Sequence, residues 1–469
     1  MISQNQGSKS KVMDWVTDAV FYQIFPDRFE NGDTKNDPPN VEQWGNVPKS
    51  NNFFGGDLQG IVNKLPYLKD LGINTMYLNP IFAASTNHKY NASDYLKIDS
   101  AFGTNELFKT FVQKCHRSNI RIVIDGVFNH VGTAHWAFAD VKEKGVDSKY
   151  FSWFNIFSLP VSSPSKPNYE CWWGYGSLPK LMAQNPEVKT YLFEVAKYWT
   201  ELGIDGWRLD VPNEVPHNFW KEWCSLVKSI NPDCYIVGEL WEDASPWLRG
   251  DEFDATMNYK FRDACVKFFT QDKTTPSQFD ADLARTRALY PAEANFAMQN
   301  LLGSHDTERY FTLCKKTLWR MKLSVFFQMT YVGAPMVYYG DEIGMEGGKD
   351  PDCRRTMIWD ERKWNKELHL FYKQLIHLRN SSEVLRRGEF RIVQTDDEHE
   401  TLIYERSLKN QSAYIILSKN KRTRNITLPL SATPKQMRDG VTKEQLSFTG
   451  DKVILQVKAH SGRLLFVNY

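Results

Sequence analysis

Three carboxylates in this chain each close a short apolar run: Asp210 in "GWRLD", Glu239 in "VGEL" and Asp306 in "GSHD". A lone buried acid is usually half of an ion pair or a cap. Three at the ends of neighbouring strands could converge on one site. Two carboxyls about 5 Å apart are what a retaining glycosidase needs, one as nucleophile and one as general acid and then base. Arg208 lies two residues before Asp210, so on a strand both side chains point to the same side. Burying such a pair is costly. The expected return is a cation that keeps Asp210 ionised. Glu239 sits between apolar residues and beside Trp241, where burial would raise its pKa as an acid requires. From spacing alone, a structural cluster or another acid–base chemistry stays open.

The elements that must position these residues read as alternating strands and helices. Strand patterns occupy residues 18–29, 73–82, 120–130, 203–212, 234–241, 253–259, 295–306 and 334–342. Helical spacing separates several of them. Leu65, Leu68 and Leu71 stop at Gly72; Phe108, Phe111, Val112 and Cys115 share one face; Val188, Leu192, Val195 and Trp199 stop at Gly203. Eight such units predict an α/β fold, a (β/α)8 barrel of parallel strands. The runs are apolar on both faces, as strands buried on both sides should be. Polar residues gather where the runs end: Asp27 and Arg28, Asn129 and His130, Arg208 and Asp210, Glu239, His305 and Asp306, Asp341 and Glu342. In barrel enzymes that end carries the active site. The barrel is expected over 14–130 and 186–389. Residues 131–185, rich in Trp, Tyr, Ser and Pro, form an inserted subdomain, being too long for an ordinary loop. Residues 390–469 alternate with period two and predict a separate C-terminal antiparallel β-sandwich. Residues 1–13 are expected to be disordered.

Four stretches in order, "DGVFNH" (125–130), "GWRLD" (206–210), "VGEL" (237–240) and "GSHD" (303–306), resemble the ordered motifs of the α-amylase superfamily. The resemblance covers nearly the whole chain from about residue 14. It implies Asp210 as nucleophile, Glu239 as acid/base and Asp306 as the carboxylate that orients the sugar. His130 and His305 would hydrogen-bond sugar hydroxyls, Asp125 would be a structural acid beneath the site, and Arg208 the partner of Asp210 and a substrate-binding residue. "LPKL" (178–181), "HKYNASDY" (88–95) and "DPDCRR" (350–355) are similar to the neopullulanase and cyclomaltodextrinase branch. That match implies Tyr90 as a stacking platform, with Asp350 and Arg354 binding hydroxyls. Trp172, Trp173 and Trp241 are expected to set the cleft width, Trp241 as a substrate contact.

"NGDTKND" (31–37) and "GGD" (55–57) could be Asx-rich turns. Their oxygen-bearing residues also suit calcium. The spacing resembles the calcium loop of the same branch, which implies a structural ion held by Asn31, Asp33, Asn36, Asp37, the Gly55 carbonyl and Asp57. The chemistry itself needs no metal. That branch usually carries an N-terminal β domain used in dimerisation. Here the barrel pattern begins almost at once, so a monomer is expected. Pro212 stands where a small residue is usual.

Composition narrows the partners. Net charge is +2 with no block of like charges, which argues against nucleic-acid binding. No run approaches the roughly 18 apolar residues of a membrane span. Aromatics reach 14%, with 15 Trp, as sugar stacking or a large core would require. The start lacks a secretion-signal pattern. The seven scattered cysteines form no metal or disulfide framework, so the expected compartment is the cytoplasm. The function expected is a retaining α-glucan hydrolase cleaving α-1,4 bonds in maltooligosaccharides, starch or cyclodextrins, with possible α-1,6 cleavage and transglycosylation. An α-glucan transferase or branch-point hydrolase is the nearest rival, and a non-catalytic sugar-binding scaffold the remote one.

Overall fold

A computed structural model describes residues 14–469. The disorder expected for residues 1–13 concerns a segment outside the described residues. Eight parallel strands form the centre: β1 (Phe21–Ile24), β2 (Thr75–Leu78), β3 (Arg121–Gly126), β4 (Gly206–Leu209), β5 (Tyr235–Gly238), β6 (Ala255–Thr256), β7 (Gln299–Leu301) and β8 (Ala334–Tyr338). Each falls inside one of the eight stretches read from sequence. Neighbours follow the order β6-β5-β4-β3-β2-β1-β8-β7. A parallel bridge from Met257 to Gln299 joins the two ends and completes the ring. Every residue of β1, β2, β4, β5 and β8 is buried, which explains why these strands show no polar alternation.

Local signals set the helices around them. Thr104 accepts the Leu107 N–H and opens the helix Asn105–Arg117, whose Phe108, Phe111, Val112 and Cys115 are all buried. Asn185 caps the helix Pro186–Leu202, and Gly203 ends it at φ +108°, a conformation glycine adopts without strain. Residues 368–385, a single helix by pattern, divide into helices Lys366–Ser381 and Glu383–Arg387. The break at Ser382 lets that hydroxyl cap Leu385 and turns the chain toward the next sheet. Between β3 and Pro186 the chain forms the helix Trp136–Lys144, three 3-10 turns and the bridges Ile156–Tyr169 and Cys171–Pro179. Phe138, Phe154 and Tyr169 pack edge to face there.

After the barrel, strands Glu389–Asp396, Thr401–Leu408, Gln411–Ser418, Ser461–Asn468 and Gln436–Asp439 make one antiparallel sheet in that order. Arg424–Pro429 pairs with Lys452–Val457 in a second. Ile403, Tyr414, Ile416, Leu428, Val453 and Leu465 share the core between them. The fully buried Arg406 ties this unit to the barrel by donating to the carbonyls of Gly388 and Thr330. No helix of the described residues is long and apolar enough to cross a membrane.

Candidate active site

Arg208 is the last residue but one of β4 and is fully buried. Its Nη1 donates to both oxygens of Asp125, at 2.9 and 3.1 Å, and to Asp210 Oδ1 at 2.8 Å. Nη2 lies 2.8 Å from Glu239 Oε2. That contact is an ion pair misaligned for a hydrogen bond, so Nη2 has no hydrogen-bond acceptor among the described residues. One guanidinium thus faces three carboxylates. Asp125 is set in turn by the Tyr77 and Tyr90 hydroxyls, at 2.7 and 3.0 Å on Oδ2.

The charge balance differs from the sequence expectation. Burial is the largest influence on Asp210 and pushes its pKa well above the ordinary carboxylate range. Arg208 pulls it down, but the Glu239 and Asp125 charges add to the rise. Glu239 is also raised, first by burial and then by Asp306, against Arg208 and His305. The two acids are therefore poised to hold one proton between them. Asp306 goes the other way. Burial raises it, but His305, Arg354 and Arg208 outweigh that and hold it well below the usual range. Its side chain keeps 30 % exposure, so solvent moderates the pull.

Asp210, Glu239 and Asp306 line one cleft of about 960 Å³, together with Tyr90, His130, Trp241, Asp350 and Arg354. Arg354 links two of these acids: Nη2 donates to Asp306 Oδ1 at 3.0 Å, and Nη1 is 3.1 Å from Asp350 Oδ1. Trp241 stacks on Tyr259 with centroids 3.6 Å apart and donates to Glu239 Oε1 at 3.2 Å. Burial pushes the His130 pKa down to about 3, so its ring is neutral at pH 7. The Asn129 amide reaches Nδ1 at 3.3 Å, which leaves Nε2 carrying the proton without a well-aligned acceptor among the described residues.

Two expected substrate contacts lie behind the wall instead. Arg208 acts through the carboxylates it holds. His305 is 1 % exposed. Gln23 Nε2 reaches its Nδ1 at 2.8 Å, while Nε2 faces Tyr90 Oη at 2.7 Å and Asp306 Oδ2 at 3.0 Å. It orients those two groups. Gln23, Asn79 and Tyr77 were missed by sequence reasoning, because a polar residue inside an apolar strand carries no periodic signal. Glu214, Asn213 and Trp247, which also line the cleft, reach it on loops whose meeting no local pattern encodes.

The 31–37 loop meets residues 55–57 as the spacing suggested. Asn31 and Asn36 each leave Oδ1 buried and, among the described residues, unpartnered, oxygens that a hard cation would satisfy. Asp37 Oδ1 accepts the Asn31 amide at 2.8 Å. Gly55 sits at φ +78°, which favours glycine, and its backbone lies close to that carboxylate: a Cβ there would be 2.3 Å from the oxygen. Asp57 is occupied otherwise. Its carboxylate accepts the N–H groups of Gly32, Asp33 and Gly60 and the Asn36 amide, capping the helix Leu58–Asn63. No group of three or more His, Cys, Asp or Glu suited to a metal occurs among the described residues. A cation here would depend on amide and carbonyl oxygens alongside Asp33 and Asp37.

Comparison with known proteins agrees with this geometry. The alpha-amylase family profile, described as the alpha amylase catalytic domain, matches residues 23–388. Neopullulanase 2 of Thermoactinomyces vulgaris is 46% identical over 457 residues, 97% of this chain and 78% of that protein. Cyclomaltodextrinase of Thermoanaerobacter pseudethanolicus (strain ATCC 33223 / 39E) is 48% identical over 420 residues, 88% of this chain and 72% of that one. The ligand-free structure of cyclic alpha-maltosyl-(1→6)-maltose hydrolase from Arthrobacter globiformis matches with a TM-score of 0.89 at 41% identity, covering 97% of this chain and 99% of that chain. Because the family match runs from within β1 to the turn before the C-terminal sheets, the chain belongs to the alpha-amylase family and is a glycoside hydrolase.

Proposed function

We propose that the enzyme is a retaining hydrolase of α-glucans. The observation that carries this reading is the placement of Asp210 and Glu239 on two nitrogens of one buried guanidinium, in the same cleft as Asp306. A shared cation keeps the pair close, as the separation of about 5–5.5 Å in retaining enzymes demands. An Asp210 oxygen attacks the anomeric carbon as the glycosidic C–O bond breaks, and Glu239 gives its proton to the departing oxygen. A water then gives a proton to Glu239 and attacks the same carbon, and Asp210 leaves. Asp306, held ionised, orients the sugar and balances its developing positive charge. His130 Nε2, Asp350 and Arg354 bind hydroxyls, and Tyr90 presents its ring.

The relatives' names refer to pullulan, cyclomaltodextrin and cyclic alpha-maltosyl-(1→6)-maltose; for this chain our reading is maltooligosaccharides and cyclic maltodextrins, joined α-1,4 with α-1,6 links also accepted. A sugar in place of water would give transglycosylation. Incubation with maltohexaose, β-cyclodextrin and pullulan, followed early by NMR, is expected to show α-configured products first. A β-configured first product would reject retention. No cleavage of any of the three would reject the substrate class. In this reading the working unit is one chain. A reducing cytoplasm is consistent with seven free cysteines.

We also propose calcium in the 31–37 loop, as a brace for the chain after β1 with no part in bond cleavage. Millimolar calcium is expected to raise the melting temperature of the wild type, as any ligand of the folded state alone does. The rise is expected to vanish in Asn31→Ala. An equal rise in both proteins would reject the site.

A further inference from the structure

Trp173 is 77 % exposed at the cleft rim, with φ +46° and ψ +31°. A bulky residue in the left-handed region is strained. Burial offers no compensation at this exposure. Two contacts nonetheless fix the ring. One face stacks on Trp172, with centroids 5.0 Å apart and planes within 12°. The indole Nε1 donates to Glu214 Oε1 at 2.9 Å. The other oxygen of Glu214 accepts Lys180 Nζ at 3.1 Å. Trp172 itself lies over His130 at 5.6 Å. A row of rings therefore runs from His130 to the rim, ending in a free aromatic face. The loop after Asp210 and the 131–185 segment are joined by this Trp173–Glu214–Lys180 contact.

We propose that the free face of Trp173 is an outer sugar-binding platform, and that Glu214 is the positioning residue that holds it. This rests on the reading of the cleft as a glucan site. An exposed, strained and doubly anchored indole buries little of its surface, but it offers the apolar face of a sugar ring a fixed surface. Two ring steps separate it from His130, so it serves a glucosyl unit beyond the one being cleaved. It therefore favours longer oligosaccharides over short ones.

The test is the ratio of kcat/KM for maltohexaose to that for maltotriose. Trp173→Gly is expected to lower this ratio about tenfold. It should also hold or raise the urea midpoint, because glycine relieves the left-handed backbone. Glu214→Ala is expected to lower the ratio as well, whereas Glu214→Gln, which keeps an acceptor, should preserve it. The double variant Trp173→Gly/Glu214→Ala should be no worse than Trp173→Gly, since both act through one ring. An unchanged ratio in Trp173→Gly would overturn the platform, and strictly additive losses would overturn the role of Glu214. If the wild type cleaved neither oligosaccharide, the hydrolase reading itself would have failed. A wild type that cleaves both, with no change of ratio in Trp173→Gly, would fail this inference alone.

Discussion

Asp210→Asn is expected to lower kcat on maltooligosaccharides by on the order of 10⁴-fold, the scale of losing a nucleophile that works in concert with an acid. The same change is expected to stabilise the fold at neutral pH. Three carboxylates share one guanidinium, so the buried group carries net negative charge. The Asp210 pKa is raised in the folded state, first by burial and then by Glu239 and Asp125 against Arg208. A folded pKa above the unfolded value means that this group's contribution is most favourable below the unfolded pKa. It is lost as pH rises through the folded pKa. At pH 7 the ionised form is therefore a cost that asparagine removes. Arg208 still has both oxygens of Asp125 as partners, so no buried cation is stranded. The check is a pair of urea titrations, at pH 7 and pH 4. The midpoint gain of Asp210→Asn should be larger at pH 7. Full activity in this variant would remove Asp210 from the chemistry. A loss of stability greatest at pH 7 would mean that attraction to Arg208 outweighs burial.

That trade of stability against reactivity corrects the simplest reading of "GWRLD". The pairing of Arg208 with Asp210 was legible, because side-chain direction alternates along a strand. The sign of the net effect was not. It depends on Glu239 and Asp125, which stand 29 and 85 residues away from Asp210 in sequence (239 − 210 and 210 − 125). The barrel was legible for a related reason: most strands are short runs buried on both faces, and most of the polar residues come at one end. Such signals are local. The contacts that shape the cleft are not, since Trp173 and Lys180 reach Glu214 across 41 and 34 residues. Sequence pattern marks the aromatic richness of 131–185 but not which ring meets which carboxylate. Asp57 shows the opposite limit. Its neighbourhood was legible, yet an aspartate before a helix reads equally as a metal ligand or a cap, and the structure gives it four N–H donors.

The reading of Glu239 as the acid rests on comparing the three charge environments. Asp306 is drawn low by His305 and Arg354 and stays ionised throughout the working range, so it cannot supply a proton. Glu239 is held above the ordinary glutamate value by burial and by Asp306, and Trp241 fixes its carboxyl from the cleft side. A bell-shaped pH profile of kcat/KM is expected. Activity falls at low pH when both members of the Asp210–Glu239 pair are protonated, and at high pH when the shared proton leaves. Because both groups are raised, the alkaline limb should lie above the usual carboxylate range. Glu239→Gln is expected to lower kcat/KM on maltooligosaccharides by roughly 10²–10⁴-fold and to abolish the alkaline limb. The loss should be much smaller on an aryl maltoside, whose leaving group needs no proton, and added azide should yield a glycosyl azide by attacking the anomeric carbon of the glycosylated enzyme and displacing the Asp210 carboxylate. An alkaline limb that persists unchanged in Glu239→Gln would assign the proton to another group. Among the three carboxylates the remaining choice would be Asp306, and its environment would then have to be far less positive than His305 and Arg354 make it.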